Sequence, residues 1–111
     1  MTIIETSNER LFEPEVNRMA GELALAPPAP DVAKAEAYFQ RALTISRVQQ
    51  AKSWELRAAM SMARLWCDQG GHNKARELLA PVYDWFTEGL ETRDLKEAKA
   101  LLDGLQSFQA C

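Results

Sequence analysis

The chain is poor in the residues that usually carry chemistry. Its 111 residues include two cysteines and one histidine, and no unbroken apolar run approaches the roughly 20 residues needed to cross a bilayer. Cys67 falls inside a helical pattern and Cys111 is the last residue, which fits neither a stapled secreted domain nor a paired-thiolate metal site, so free thiols are expected. His72 has no second histidine to complete a ligand set and no orienting partner for nucleophilic catalysis. No GxxxxGK[ST] loop occurs. Gly70 and Gly71 run into His72 and Asn73, so they read as a turn and not a phosphate cradle. No cofactor and no enzymatic activity are expected. Thirteen basic and sixteen acidic residues are mixed along the chain for a net charge of −3, which leaves no positive field for a nucleic-acid backbone. The opening MTIIETSNERLFEPE has neither the basic-then-apolar order of a signal peptide nor the arginines of a transit sequence, so a cytoplasmic location with no membrane partner is expected. Sustained apolar/polar alternation is missing and β-branched residues are few, which excludes strands.

What remains is helical periodicity. At 47% hydrophobic the chain can build one modest core. Residues 1–12 read as a lead-in whose order is left open, 13–105 as the folded domain and 106–111 as a tail. Pro14 suits a first helical turn, so helix one is expected from Glu13 to Leu25 with Val16, Ala20, Leu23 and Ala24 inward, ending at APPAP. Asp31 is placed to cap helix two, which carries Ala35, Tyr38, Phe39, Ala42, Ile45 and Ser46 and reaches about Gln50. Helix three, Trp54 to Gln69, has Ser53 as its expected cap and a stripe of Leu56, Ala59, Met62, Ala63 and Trp66. Gly70-Gly71 stop it through positive φ angles. Helix four is expected to be capped by Asn73 and bent near Pro81, with Ala75, Leu78, Leu79, Val82 and Phe86 on one side. Helix five opens with Asp94 and Glu97 in a capping-box spacing and buries Leu95, Ala98, Leu101, Leu102 and Leu105. The fold class is all-α.

Ala35, Phe39 and Ala42 recur forty positions on as Ala75, Leu79 and Val82. An early alanine lets a neighbouring helix approach closely and the larger residue one turn later fills the space beyond. With Ala63, Trp66 and Gly70 ahead of the second set, the pattern resembles the tetratricopeptide repeat family. The first set, led by Gly21, has APPAPD where a turn glycine would stand, and the period exceeds the usual 34 or so residues. The stretches AEAYFQRAL, AKSWELRAAMSMARLW, ARELLAPVYDWFTEG and DLKEAKALL also resemble the C-terminal repeat tail of large bacterial regulators that join a cyclase or DNA-binding domain to an ATPase.

That resemblance implies a right-handed superhelix of antiparallel helix pairs, about two repeats plus a C-terminal capping helix. It implies a non-catalytic module binding another protein, as an adaptor or as a remnant of a larger signalling regulator. The alternative is a sensor domain that binds a small effector, as superhelical domains of some such regulators do. In the family the first helix of each repeat lines the concave face. This puts Arg18 and Glu22 of helix one beside Arg57, Met60, Arg64 and Cys67 of helix three as partner-binding candidates, with Arg64 and Asp68 forming a weak pair. So few repeats leave apolar surface to cover, so a second copy of the chain is a further expected partner, with Trp54, Trp85 or Leu90 as contacts.

Overall fold

The computed structural model describes residues 2–86 and 92–107, with side chains placed for 13–86 and 92–104. Among the described residues there are five α-helices and no strand: α1 Thr2–Ala24, α2 Val32–Val48, α3 Lys52–Asp68, α4 His72–Trp85 and α5 Arg93–Ser107. None is long and apolar enough to cross a membrane. The chain divides into two compact units, Met1–Ala58 and Ala59–Cys111.

In the first unit α1 packs on α2, and it does so with a face turned away from the expected one, Ala20 and Ala24 being only half-buried. The helix begins at Thr2, eleven residues earlier than its expected start at Glu13, so Pro14 sits in its interior and is fully buried. An interior proline removes an amide donor from the helical ladder. One turn on, Asn17 donates its Nδ2 to the Glu13 carbonyl at 2.9 Å, an added bond beside that defect. Gly21 lies directly on Phe39: a Cβ at position 21 would stand 2.5 Å from Phe39 Cε1. Pro14, Asn17 and Gly21 recur at three and four residues and are buried, so they form the inner stripe of α1. Val16, Met19 and Leu23 therefore turn outward, 61%, 53% and 75% exposed. The expectation that Val16 and Leu23 face the core is corrected by this packing. A small residue at the crossing permits close approach, and closeness there outweighed the apolar stripe.

α2 follows its sequence pattern. Asp31 is its N-cap, accepting from the Lys34 amide at 3.0 Å, a bond of a kind that contributes about 1 kcal/mol. Ala35, Phe39, Ala42, Leu43 and Ser46 are buried, and the Ser46 hydroxyl is satisfied by the Leu43 carbonyl. Tyr38, expected inward, is only half-buried. The helix ends in a Schellman motif, with the Gln50 amide on the Arg47 carbonyl and the Ala51 amide on the Ser46 carbonyl, and Gln50 takes the left-handed conformation (φ 57°).

The same terminator closes α3. The Gly70 amide donates to Cys67 and the Gly71 amide to Trp66, with Gly70 at φ 88°. Only one of the two glycines carries the positive φ; Gly71 (φ −92°) is instead the N-cap of α4. In the second unit Ala59, Met62, Ala63 and Trp66 are buried, as are Ala75, Leu79 and Val82 of α4 and Leu95, Ala98 and Leu101 of α5. α4 continues through the exposed Pro81 to Trp85. Three expected caps lie inside their helices instead: Ser53 in α3, Asn73 in α4 and Asp94 in α5. The carbonyls that start these helices belong to Ala51, Gly71 and Thr92.

Candidate functional site

In the first unit Glu15 of α1 is the centre of an ion cluster. Arg18 grips its carboxylate with both arms, Nε to Oε1 at 2.9 Å and Nη2 to Oε2 at 2.7 Å. Arg57 of α3 adds Nη1 to Oε2 at 2.8 Å, and Arg18 also reaches Glu22 at 3.6 Å. Hydrogen bonding from Arg18 is the main reason the Glu15 carboxyl is held below the usual carboxylate value, with partial burial opposing and the charges of Arg18 and Arg57 assisting. The Arg57 guanidinium also lies over the Trp54 ring, 5.9 Å from its centroid.

The expected candidates Arg18 and Arg57 are thus brought together through Glu15, a residue outside the expected set, and Glu22 joins them through Arg18. The three-residue spacing from Glu15 to Arg18 is a legible local signal. The contact with Arg57 is not, because it spans forty-two residues. A second pairing in this unit fixes the nearly buried Glu55 between Arg47 at 3.1 Å and Lys52 at 3.5 Å.

The other candidates lie in the second unit. Arg64 is half-exposed and pairs with Glu97 of α5 at 3.5 Å, in place of the expected Asp68, and Glu97 also accepts from Arg93 at 3.0 Å. Met60 and Cys67 are both 3% exposed, so neither offers a surface to a partner. Cys67 is disulfide-bonded, which corrects the expectation of free thiols; position along the sequence does not say whether a thiol finds a partner in the fold. Cys111 and Leu90 lie outside the described residues. Trp66 is buried beneath Lys74, whose ammonium stands 4.2 Å from the ring centroid, whereas Trp85 is exposed and meets Phe86 edge-on at 5.1 Å. His72 opens α4 and is half-buried. Among the described residues no three His, Cys, Asp or Glu side chains come together as a metal site.

The most distinctive surface is the outer face of α1. Val16, Met19 and Leu23 form an apolar stripe at heptad-like spacing, and the Glu15–Arg18–Glu22 ladder runs along one side of it. Cross-linked by Arg57, that ladder holds the rim of the stripe in a defined arrangement. No family model, no curated protein and no solved structure matches the chain.

Proposed function

We propose that this chain is a non-catalytic helical module that binds another protein, built as a tetratricopeptide-like superhelix and serving as an adaptor or as part of a larger signalling regulator. The observation that carries the reading is the outward stripe of Val16, Met19 and Leu23 beside an ordered charge ladder. Three large apolar side chains on one helix face, rimmed by fixed charges, make the kind of surface that an amphipathic partner covers. The repeat reading is supported by one further feature: both small-large-small sets, Ala35/Phe39/Ala42 and Ala75/Leu79/Val82, are buried.

A sensor of small effectors would need an enclosed apolar cavity of about 300–1,000 Å³. One shallow depression, on α2 and lined by Lys34, Ala37, Tyr38 and Arg41, measures about 130 Å³ and is open to solvent, so it does not itself meet that need.

The test is capture of partners from a lysate by the immobilised chain and by its Met19→Glu/Leu23→Glu variant. Both positions are exposed, so the variant should keep its helical spectrum and melting midpoint while losing the captured protein. Equal capture by the variant removes the α1 face from the reading. Concentration-dependent thermal stabilisation by a metabolite would replace it with the sensor.

A further inference from the structure

α2 and α4 each carry a surface stripe whose charges have no ion-pair partner among the described residues, and the two stripes are complementary. On α2, Lys34, Tyr38 and Arg41 follow one another at four and three residues, so they share a helix face and line the shallow depression described above. On α4, Glu77, Pro81 and Asp84 repeat the same spacing on an exposed face. Among the described residues, the side chains of Lys34 and Arg41 meet no carboxylate, and those of Glu77 and Asp84 meet no cation. The neighbouring charges on α4 are otherwise engaged, Lys74 on the Trp66 ring and Arg76 on Asn73.

We propose that the basic face of α2 in one copy of the chain docks on the acidic face of α4 in a second copy. Each stripe has one charge at either end, seven residues apart, and a ring between them, so laying one helix along the other places a cation on a carboxylate at both ends. The rings then meet in the middle. Alanines at 37 and 80 occupy the adjoining positions and let the helices come close. Pro81 has no amide hydrogen, which leaves the Glu77 carbonyl without its donor four residues on. The Tyr38 hydroxyl is the group across the interface that can donate to it.

Because the two faces differ, the contact is head-to-tail: each copy keeps one free α2 face and one free α4 face, and assembly continues with concentration unless the ring closes. The surface is small and its pairs are solvent-exposed, so the association is weak and strongly salt-dependent. It involves a surface separate from the α1 stripe and stands or falls independently of it.

Sedimentation velocity on the full chain tests this at about 0.01 M and about 1 M salt, where charges are screened over roughly 30 Å and 3 Å. The apparent mass should rise with concentration above 12.5 kDa at low salt and return to it at high salt. Lys34→Glu/Arg41→Glu and Glu77→Lys/Asp84→Lys should each be monomeric alone. Their equimolar mixture, and the chain carrying all four changes, should associate again as the wild type does. Tyr38→Phe should weaken association without abolishing it. If a charge-reversed chain fails to fold, Lys34→Gln/Arg41→Gln replaces it and should bind about tenfold more weakly at low salt. A monomeric wild type at low salt, an association insensitive to salt, or a mixture that stays monomeric overturns the proposal. Loss in the α2 variant alone, with the α4 variant unaffected, overturns α4 as the receiving face.

Discussion

Arg57 Nη1 stands 2.8 Å from Glu15 Oε2, an ion pair that ties α3 to α1 across forty-two residues of chain. Glu15 already accepts two bonds from Arg18, so both guanidinium groups share this carboxylate. Removing its charge takes the ion pair with α1 from Arg57 and leaves Arg18 its longer contact with Glu22.

Glu15→Gln should therefore destabilise the chain at neutral pH by about 0.5–1.5 kcal/mol, the range of a part-buried charge-assisted bond discounted for solvent access. The pH dependence has a definite sign. The folded carboxyl is held below the ordinary 4.5, so its contribution is fully present above that value and is lost as pH falls through the folded value. Urea midpoints of wild type and Glu15→Gln should differ by a constant amount above about pH 5 and converge on acidification. A gap that persists at the lowest pH would show that the substitution acts through packing and not through the charge.

Gly21→Ala sets two effects against each other. Alanine in a helix interior is favoured over glycine by about 1 kcal/mol. Here its methyl would sit 2.5 Å from the ring of Phe39, which is fully buried and has little room to retreat. Overpacking at such a contact costs about 1–3 kcal/mol, so net destabilisation is expected. Combining it with Phe39→Leu should recover part of the loss relative to the sum of the single changes, measured as a double-mutant cycle.

The two Schellman ends predict opposite responses to exchanging their left-handed residues. Gly70→Ala meets no neighbour within 4 Å, so its cost is conformational alone, about 1–2 kcal/mol. Gln50→Gly relieves a non-glycine residue at φ 57°, partly offset by greater freedom in the unfolded chain, and should fall between neutral and about 1 kcal/mol stabilising. Thermal melts of the two variants on either side of wild type would bear this out.

Ala75 is fully buried near the start of α4, and Ala75→Leu should cost about 1–3 kcal/mol through overpacking. Lys99 is exposed and pairs with the exposed Asp103 one turn along, and Lys99→Ala should change stability by under about 0.5 kcal/mol. Equal midpoints for the pair in urea would mean that position 75 does not lie at a helix crossing.

These residues also show where the sequence was readable. α3 buries the stripe that its periodicity marks, and α4 and α5 bury Ala75, Leu79 and Val82 and Leu95, Ala98 and Leu101 of theirs, with Leu78, Phe86 and Leu102 half-buried and the Leu105 side chain outside the described residues; the large apolar residues Leu56, Met62, Leu79 and Leu101 do the packing. Asp31 and Gly70 were legible because each has a local job, a side-chain cap and a positive φ, that few residues perform. α1 misled for the converse reason. Its contact is made by the residues a periodicity count ignores, Pro14, Asn17 and Gly21, and its hydrophobic stripe is the part left outside. Ser53, Asn73 and Asp94 misled as caps because a backbone carbonyl two residues earlier had already begun each helix. Half of the ion cluster followed from helical spacing; the other half needed the fold.

Gly21 also acts as a register pin. Sliding α1 by one turn against α2 would put Asn17 or Leu25 where the Phe39 ring now rests, and neither has the notch that receives it. The helix is thereby held in rotation as well as in translation. Which three side chains the module displays to the outside is consequently decided by the one residue that has no side chain.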